Sequence, residues 1–277
     1  MTAATDTTRI RSDPYEQLRW ALHDSLVVAA RNLRHFVRQP RLVVFSTIQP
    51  VMFVLLFAYV FGGAISGALP AGVSYVDFLL PGIFVQSAAF RSTQTSVGLA
   101  EDLERGVIDR FRSMPMARSA VLAGRTLADL VRSLFVIVLM VVVGYAIGFR
   151  FQVGVAAALG AVGVVALFGF AVSWIFAWLA LVVRGVEAAQ SASFVAIFPL
   201  VFASSVFVPI TTFPAWLQVV ANVSPVTFAA DAARALSIGE SSITRPVTTA
   251  LLGTVAWAAV FLAVFVPLAV RRYRRLT

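Results

Sequence analysis

Few residues in this sequence have the types and spacing that catalysis requires. All 22 basic residues are arginine, and the chain contains no lysine and no cysteine. A phosphate-binding P-loop needs a lysine after its glycine-rich turn, and thiolate zinc sites and cysteine nucleophiles need a thiol. The two histidines, His23 and His35, do not fit the HExxH spacing of a metalloprotease. Nucleotide hydrolysis and metal-dependent hydrolysis are therefore disfavoured within this chain.

Acidic residues are also missing from the middle of the apolar runs. Asp77, Glu101, Asp129 and Glu187 all fall near the ends of predicted membrane spans. Ion-coupled transporters usually keep a carboxylate near the midplane of the bilayer. If the protein moves a substrate, the sequence therefore favours an energy source in another subunit.

Arg91 is the exception, because it lies about a dozen residues from either end of a predicted span. The polar residues that follow it, through Ser96, include Thr93 and Gln94. A charged residue at this depth normally faces a bundle interior or an aqueous cavity. We interpret Arg91, Thr93 and Gln94 as one face of a substrate path. The alternative is a purely structural hydrogen bond between helices.

The elements that must position these residues are membrane helices. The sequence is 60% hydrophobic and only 13% charged, whereas soluble domains contain about 25% charged residues. We predict an all-α integral membrane protein with six transmembrane helices, since each apolar run approaches the roughly 20 residues that cross a bilayer. The predicted spans are Leu42–Phe61, Phe78–Ala100, a third with its uncharged core at Ser133–Phe149, Val153–Val183, Ser191–Val208 and Leu251–Val270.

The N-terminal region is predicted to lie outside the spans. Residues 1–14 are polar and expected to be disordered, and residues 15–40 have an apolar sector opposite a cationic one. That pattern is typical of a helix lying in the membrane interface. The first forty residues lack the apolar core and cleavage site of a signal peptide. Residues 41–277 are then a single transmembrane domain.

About forty residues separate the fifth and sixth spans. They are apolar enough to enter the membrane, but Pro225 interrupts them. A full crossing here would place the C-terminal arginines on the side opposite the N-terminal ones. We therefore predict a re-entrant segment, which requires its backbone to be buried in protein or to line a cavity.

Six spans place both termini on one side of the membrane. Seventeen arginines then fall on the side of the termini and three on the opposite side. Because arginine-rich loops remain in the cytoplasm, this predicts cytoplasmic termini in the cell membrane. The net charge of +9 is thereby explained by topology, and we expect no nucleic-acid partner.

A charged segment lies between the second and third spans. Leu103, Val107, Phe111 and Met114 recur at helical spacing, and Pro115 ends the pattern. The sequence predicts a cytoplasmic amphipathic helix with charged residues around the rest of its surface. A partner that grips this helix and a surface helix lying against lipid headgroups are both compatible with the pattern.

Two motifs give the chain a resemblance to a known family. Glu104–Ala117 reads ERGVIDRFRSMPMA, and Ala123–Arg125 then leads into a span. Before the last span, Phe213–Leu217 reads FPAWL and is followed by Ser224-Pro225 and by Asp231–Arg234. In order and position, these motifs resemble the transmembrane subunit of an ABC-2 type exporter, most closely the daunorubicin-resistance permease branch. The resemblance extends from about Arg31 to Arg275, and Ser224 stands where asparagine is common.

The resemblance implies an assembly in which this chain has no catalytic residue and no cofactor. Two permease subunits, as a homodimer or a pair of related chains, would join two separate ABC ATP-binding subunits that hold ATP and Mg. The N-terminal helix and the 103–114 helix would dock on the ATPases. The implied coupling residues are Leu103, Glu104, Arg105, Val107, Asp109, Arg110, Phe111, Arg112 and Met114.

The implied substrate is hydrophobic or amphipathic: a drug, a lipid or a lipid-linked molecule, with membrane lipids as neighbours. The re-entrant segment would form an outer gate. Its residues are Phe213, Trp216, Pro225, Asp231 and Arg234. Two alternatives remain open at this point: a lipid-modifying enzyme that uses Arg91, Asp129 and Arg132 to bind an anionic headgroup, or a non-transporting anchor for a soluble partner.

Overall fold

The computed structural model describes residues 40–69, 72–106 and 118–275, together with Val27, and its regular secondary structure in these ranges is helical throughout. The helices are α1 Pro40–Leu56, α2 Tyr75–Glu104, α3 Arg118–Ala146, α4 Val155–Val182, α5 Val186–Phe202, α6 Ala215–Val223, α7 Pro225–Ile238 and α8 Val247–Arg275. Helix α1 continues through a π-helical turn, Phe57–Phe61, and a short α-helical turn, Gly62–Ile65. Short 3-10 turns are Ser66–Ala68, Ile210–Thr212 and Glu240–Ser242. The predicted tail and interface helix lie outside the described residues apart from Val27 and Pro40.

The all-helical membrane architecture is confirmed. Four helical stretches in the described ranges are long and apolar enough to cross a bilayer: Ile48–Ile65, Ala123–Ala146, Val155–Val182 and Val247–Tyr273. Helix α5 is apolar but has 17 residues. Helix α2 has 30 residues, about 45 Å at 1.5 Å per residue, and its polar stretch distinguishes it from the four apolar spans.

Helix α2 lies at the centre of the bundle. It packs against α3, α4, α5 and α7, and side chains such as Leu79 and Ile83 are fully buried. Small residues let the helices approach: a Cβ on Gly169 of α4 would lie 3.0 Å from the Cβ of Ala88. Close packing of this kind is how helices associate where no water drives them together.

The C-terminal end of α2 differs from the sequence prediction. The helix continues to Glu104, and Gly106 then adopts a left-handed φ of +64°. Leu103 therefore belongs to the last turn of α2, where it packs on the apolar cluster around Leu99 and Trp174. The predicted single helical stripe from Leu103 through Val107 is interrupted at Gly106, because a left-handed residue ends an α-helix.

The segment between α5 and α8 forms two short helices, as the position of Pro225 predicted. Pro225 occupies the first turn of α7, where its missing N–H costs no helical hydrogen bond. Helix α7 packs against α2, α4 and α8, and 12 of its 14 residues are buried. Helix α6 is more exposed, with Trp216 70% and Val219 68% accessible. The backbone of α7 thus meets the burial condition for a re-entrant helix.

Candidate functional site

A fully buried arginine holds together the end of the bundle at which α2 begins. Arg234 of α7 has no exposed surface. Its Nε donates to the carbonyl oxygen of Phe78 at 2.8 Å, and its Nη1 donates to Ser205 Oγ at 3.0 Å and to Asp231 Oδ1 at 3.2 Å. Its Nη2 donates to the carbonyl oxygens of Ser205 at 2.5 Å and Val206 at 2.8 Å. All five guanidinium donors are therefore used.

The neighbours of Arg234 balance its charge and leave room for its side chain. The guanidinium carbon lies 3.7 Å from the centroid of the Phe78 ring. Asp231 receives a further hydrogen bond from Ser205 Oγ at 3.0 Å, and its Oδ2 forms an ion pair with Arg245 Nε at 3.0 Å. Gly82 leaves the space that this arrangement needs, since a Cβ there would lie 2.8 Å from Arg234 Nη2 and would collide with the Val206 carbonyl. We call Phe78, Ser205, Val206, Asp231, Arg234 and Arg245 the outer arginine network, because the topology predicted from the sequence places this end of the bundle on the outer side.

The predicted gate residues lie in two separate places in the structure. Asp231 and Arg234 belong to the outer arginine network and border a cavity of about 260 Å³, and Pro225 begins the helix that carries them. Phe213 and Trp216 lie apart on the α6 side, where the Phe213 carbonyl accepts a hydrogen bond from Gln218 at 2.8 Å. Because Arg234 has no donor left over, the network is built to hold helices in place.

A second polar site lies halfway along α2. A pocket of about 120 Å³ opens between α1, α2 and α5. It is lined by nine residues, which we call the Arg91 pocket: Gln49, Pro50, Gln86, Ser87, Phe90, Arg91, Thr93, Gln94 and Phe194. The three residues predicted to line a substrate path, Arg91, Thr93 and Gln94, are thus brought together in one pocket.

The polar side chains that line the Arg91 pocket differ in whether their hydrogen-bonding groups are paired. Ser87 Oγ donates to Met140 Sδ at 3.4 Å, and Thr93 Oγ1 donates to the Phe90 carbonyl at 2.7 Å. Gln86 is only 2% exposed, and its Oε1 has no hydrogen-bond partner among the described residues. A buried acceptor without a donor is unfavourable. Gln86 Oε1 could therefore accept a hydrogen bond from a group that enters the pocket.

On its other side Arg91 borders the cluster proposed for the alternative enzyme. Asp129 Oδ2 accepts from Thr95 Oγ1 at 2.6 Å, and Asp129 Oδ1 accepts from Arg132 at 3.1 Å. Arg91 and Asp129 do line a common void, but its volume is about 10 Å³. That space suits a single water molecule, so a lipid headgroup does not fit between these residues.

The C-terminal end of α2 is connected to two other helices. Asp102 forms a close ion pair with Arg125 of α3. Glu104 Oε1 accepts a hydrogen bond at 3.1 Å from the backbone N–H of Val186, the first residue of α5. Arg105 lies 3.6 Å from Glu101 on the exposed surface. The other predicted coupling residues, Val107, Asp109, Arg110, Phe111, Arg112 and Met114, lie outside the described residues.

Sequence reasoning missed several residues of both sites. Gln86 was detectable as a polar residue inside an otherwise apolar half-span. Ser205 carried no comparable signal, because serine is common near helix ends. Gln49 and Phe194 reach the Arg91 pocket from other helices, and only their tertiary placement identifies them.

Comparison with known proteins identifies the family of the chain. The family described as ABC-2 type transporter matches residues 24–237. The daunorubicin resistance ABC transporter permease protein DrrB1 of Streptomyces coeruleorubidus is 35% identical over 245 residues, 88% of this chain and 83% of that protein. The probable doxorubicin resistance ABC transporter permease protein DrrC of Mycobacterium tuberculosis is 27% identical over 258 residues, 91% of this chain and 88% of that protein.

A more distant relative is the putative transport permease ycf38 of Cyanophora paradoxa, which is 23% identical over 216 residues, 78% of this chain and 74% of that protein. The family match covers most of the chain, and the relatives are named as permeases along nearly the same length. The chain therefore belongs to the ABC-2 type transporter family, as a multi-pass permease subunit of an ABC exporter in the daunorubicin-resistance branch.

Proposed function

We propose that this permease exports a hydrophobic or amphipathic substrate along the Arg91 face of α2, driven by a separate ATP-binding subunit. The observation that carries the proposal is the Arg91 pocket, which gathers Arg91, Thr93 and Gln94 within an otherwise apolar bundle. Charged and amide side chains at this depth are costly unless they face protein or an aqueous cavity. A path for a polar head group is one use that justifies their position.

Coupling to the ATP-binding subunit is proposed to pass through the segment that follows Glu104. Asp102 and Glu104 connect the end of α2 to α3 and to the start of α5. A displacement of this segment would therefore move three helices together. Because Phe194 of α5 lines the Arg91 pocket, such a movement would change the shape of the pocket.

We also propose six membrane crossings, by α1 to α5 and α8, with both termini in the cytoplasm of a cell. The arginine distribution supports the orientation, with seventeen on the inner side against three. Helix α2 qualifies by its 30-residue length, and most of its polar residues between Gln86 and Ser96 are buried in the bundle. Helices α6 and α7 would enter from the outer side and return, with α7 held by the outer arginine network.

A pair of permease subunits is proposed because of the mouth of the Arg91 pocket. Gln49 and Gln94 are exposed there, and the helices that form the pocket also expose apolar side chains such as Met52 of α1, 59% accessible, and Val195 of α5, 76% accessible. Amides facing lipid tails would lack hydrogen-bond partners. A second permease copy over this face would leave the amides in a path between the two chains and the apolar residues in an interface.

Reconstitution tests the proposed function. The permease is co-purified with a separate ABC ATP-binding subunit and placed in proteoliposomes. We expect ATP-dependent movement of an amphipathic probe, and ATP hydrolysis only when both subunits are present. Lipid turnover by the permease alone, without ATP, would instead support a membrane enzyme.

A single substitution tests the coupling segment. Phe111→Asp places a charge on the apolar stripe predicted from the sequence, and we expect it to abolish ATP-driven export while leaving membrane insertion intact. The measurement is export and co-purification of the ATPase, with insertion checked by protease protection. Normal export by this variant would contradict the role of the segment.

A further inference from the structure

The exposed side of α8 changes from apolar to cationic near the end of the helix. Helix α8 packs against α3, α4 and α7, and we call its exposed face, from Leu252 to Arg275, the α8 stripe. The apolar members of this stripe are Leu252, Val255, Ala256, Ala259, Val260, Ala263, Val264, Pro267 and Leu268. The next exposed residues are Arg271, Arg272 and Arg275. Because they follow Leu268 at helical spacing, they lie on the same face of the helix.

The length of the α8 stripe fits one membrane crossing with its arginines at the surface. Its apolar part extends about 24 Å at 1.5 Å per residue, close to the roughly 30 Å of a hydrocarbon core. Arginine side chains at the end of such a helix extend to the lipid head groups. At the other end of α8, Thr248 and Thr249 are exposed and uncharged, and Arg245 is paired with Asp231. The two ends of the stripe therefore differ in charge.

The helices around the α8 stripe do not neutralise its arginines. Helices α8 and α4 contain no aspartate or glutamate. Helices α3 and α7 carry one acid each, and both acids are already paired, Asp129 with Arg132 and Asp231 with two arginines. Glu187 is exposed, but it lies on α5, which is not among the main neighbours of α8. The arginine end of the stripe is therefore a cationic surface.

Contacts on the opposite side of α8 fix the direction of these arginines. Tyr273 is only 2% exposed and belongs to an apolar cluster with Leu181 of α4. Arg272 Nε donates to the Leu181 carbonyl oxygen at 3.2 Å, which leaves its two Nη groups for a ligand. Arg271 and Arg275 are one helical turn apart, so their Cβ atoms are about 5–6 Å from each other. Both side chains can therefore reach a single phosphate group.

We propose that the arginine end of the α8 stripe binds the head group of an anionic phospholipid, whose acyl chains lie along the apolar part. Arginine pairs with phosphate through charge-assisted hydrogen bonds, and basic residues beside a membrane helix attract anionic lipids. A soluble partner such as the ATP-binding subunit matches the arginines but not the apolar residues on the same face, whereas a lipid matches both. The site is separate from the Arg91 pocket and does not depend on what the permease exports.

Lipid contact is measured locally at both ends of the α8 stripe. Because the chain contains no cysteine, Leu268→Cys carries a single fluorophore next to the arginines, and Leu252→Cys carries one at the uncharged end. The labelled permease is assembled with its ATP-binding subunit in phosphatidylcholine nanodiscs. Phosphatidylglycerol and phosphatidylcholine, each with a spin label near the head group, are then titrated as quenchers. Glycerol phosphate is the soluble competitor that lacks acyl chains.

The two ends of the stripe should respond differently. At Leu268→Cys we expect phosphatidylglycerol to quench at about tenfold lower content than phosphatidylcholine, the scale of one to two arginines beside a membrane. At Leu252→Cys the two lipids should quench within about twofold of each other, because no arginine of the stripe lies at that end. Glycerol phosphate should change neither result.

Two double variants assign the preference to the arginines. In the Leu268→Cys protein, Arg271→Gln with Arg275→Gln should reduce the preference for phosphatidylglycerol to about twofold or less. Arg271→Lys with Arg275→Lys keeps both charges and should retain most of the preference, which controls for folding. Arg105→Gln removes an exposed arginine of the C-terminal end of α2 and should leave the preference unchanged.

The remaining outcomes would contradict the proposal. Equal quenching by the two lipids at Leu268→Cys, or an unchanged preference in the double glutamine variant, would show that the arginines bind no lipid. No quenching by either lipid at Leu268→Cys would place a second permease copy or the ATP-binding subunit on the α8 stripe. Loss of the preference in glycerol phosphate would indicate a site for soluble phosphate. None of these results requires ATP-driven export, so the proposed function is tested separately.

Discussion

Two arginines in this protein lie inside the helical bundle under different conditions. Arg234 has no exposed surface, and its five donors are all used by Phe78, Ser205, Val206 and Asp231. Arg91 is half-buried and lines a pocket of about 120 Å³ whose acceptor Gln86 Oε1 has no partner among the described residues. One arginine is part of a closed network, and the other borders open space.

This difference gives the two arginines different roles, one in stability and the other in transport. A buried charge with complete hydrogen bonding fixes the elements around it, because moving any of them would expose unpaired groups. The outer arginine network therefore joins α2, α7 and the residues after α5 into one unit. A charge beside an incompletely paired pocket can change partners at lower cost. We therefore assign rigidity to the outer end of the bundle and ligand contact to the middle of α2.

The largest effect is expected for Arg234→Gln. It leaves three backbone carbonyls without the donors that Arg234 supplies and removes the Arg234 contact of Asp231, and breaking a buried ion pair costs about 3–5 kcal/mol. We expect the variant to lose nearly all folded protein, measured by size-exclusion chromatography of fluorescent fusions after heating. Arg105→Gln, on the exposed surface, is the control. If Arg234→Gln melted within a degree of wild type, the structural role of the network would be wrong.

Gly82→Ala tests the same network with a single methyl group. The added Cβ would lie 2.8 Å from Arg234 Nη2 and would collide with the Val206 carbonyl, so we expect a loss of about 1–3 kcal/mol. Gly163→Ala in α4 is the matched control, because nothing lies within 4 Å of its added Cβ. Thermal stability of both variants is the measurement. Equal stability of the two would show that the outer end tolerates movement.

Arg91→Gln tests the second arginine of the comparison, the one that borders open space. Asp129 keeps its contacts with Thr95 and Arg132, so we expect normal accumulation and a melting temperature close to wild type. Export in proteoliposomes should fall about tenfold, the scale of one lost charge contact near 1.4 kcal/mol. A variant that failed to fold, as Arg234→Gln is expected to, would place Arg91 among the structural residues.

The smallest effect is expected at the inner end of α2. Glu104→Ala removes one hydrogen bond to the start of α5, which is worth about 0.5–1.5 kcal/mol. We expect a drop of about three- to fivefold in export per ATP hydrolysed, with unchanged assembly. Glu101→Ala, which loses only an exposed contact with Arg105, is the control. If both variants reduced the ratio equally, the link to α5 would have no special role.

Local patterns in the sequence predicted some of this arrangement well. The uncharged run from Val153 to Val183 forms one helix, Val155–Val182, because it contains no proline or turn to divide it. Pro225 separates two short helices, as its missing N–H requires. Arg91 was recognised as unusual because the membrane makes an interior charge costly. These predictions depend only on residues that are close in sequence and on the membrane that surrounds the helices.

Long-range contacts were beyond the same reasoning. Asp231 and Arg234 are three residues apart and could be paired from the sequence, but the Phe78 carbonyl lies 156 residues from Arg234. The predicted span ended at Ala100 and Leu103 was assigned to a separate amphipathic helix, because the charges of Glu101 and Asp102 interrupt the apolar run. Asp102 instead pairs with Arg125, and Leu103 packs on the bundle. Tertiary contacts therefore extended the helix beyond its apolar part.

The most direct test of the central claim uses the absence of cysteine from this chain. Gln94→Cys places a single thiol at the exposed edge of the Arg91 pocket, and Gln190→Cys places one elsewhere on the surface. ATP-driven export is measured in proteoliposomes before and after labelling with a bulky maleimide, with the unsubstituted complex treated identically. The account predicts that labelling at Gln94→Cys blocks export, that substrate slows the labelling, and that Gln190→Cys is unaffected. Undiminished export by the fully labelled Gln94→Cys protein would contradict a substrate path along this face of α2.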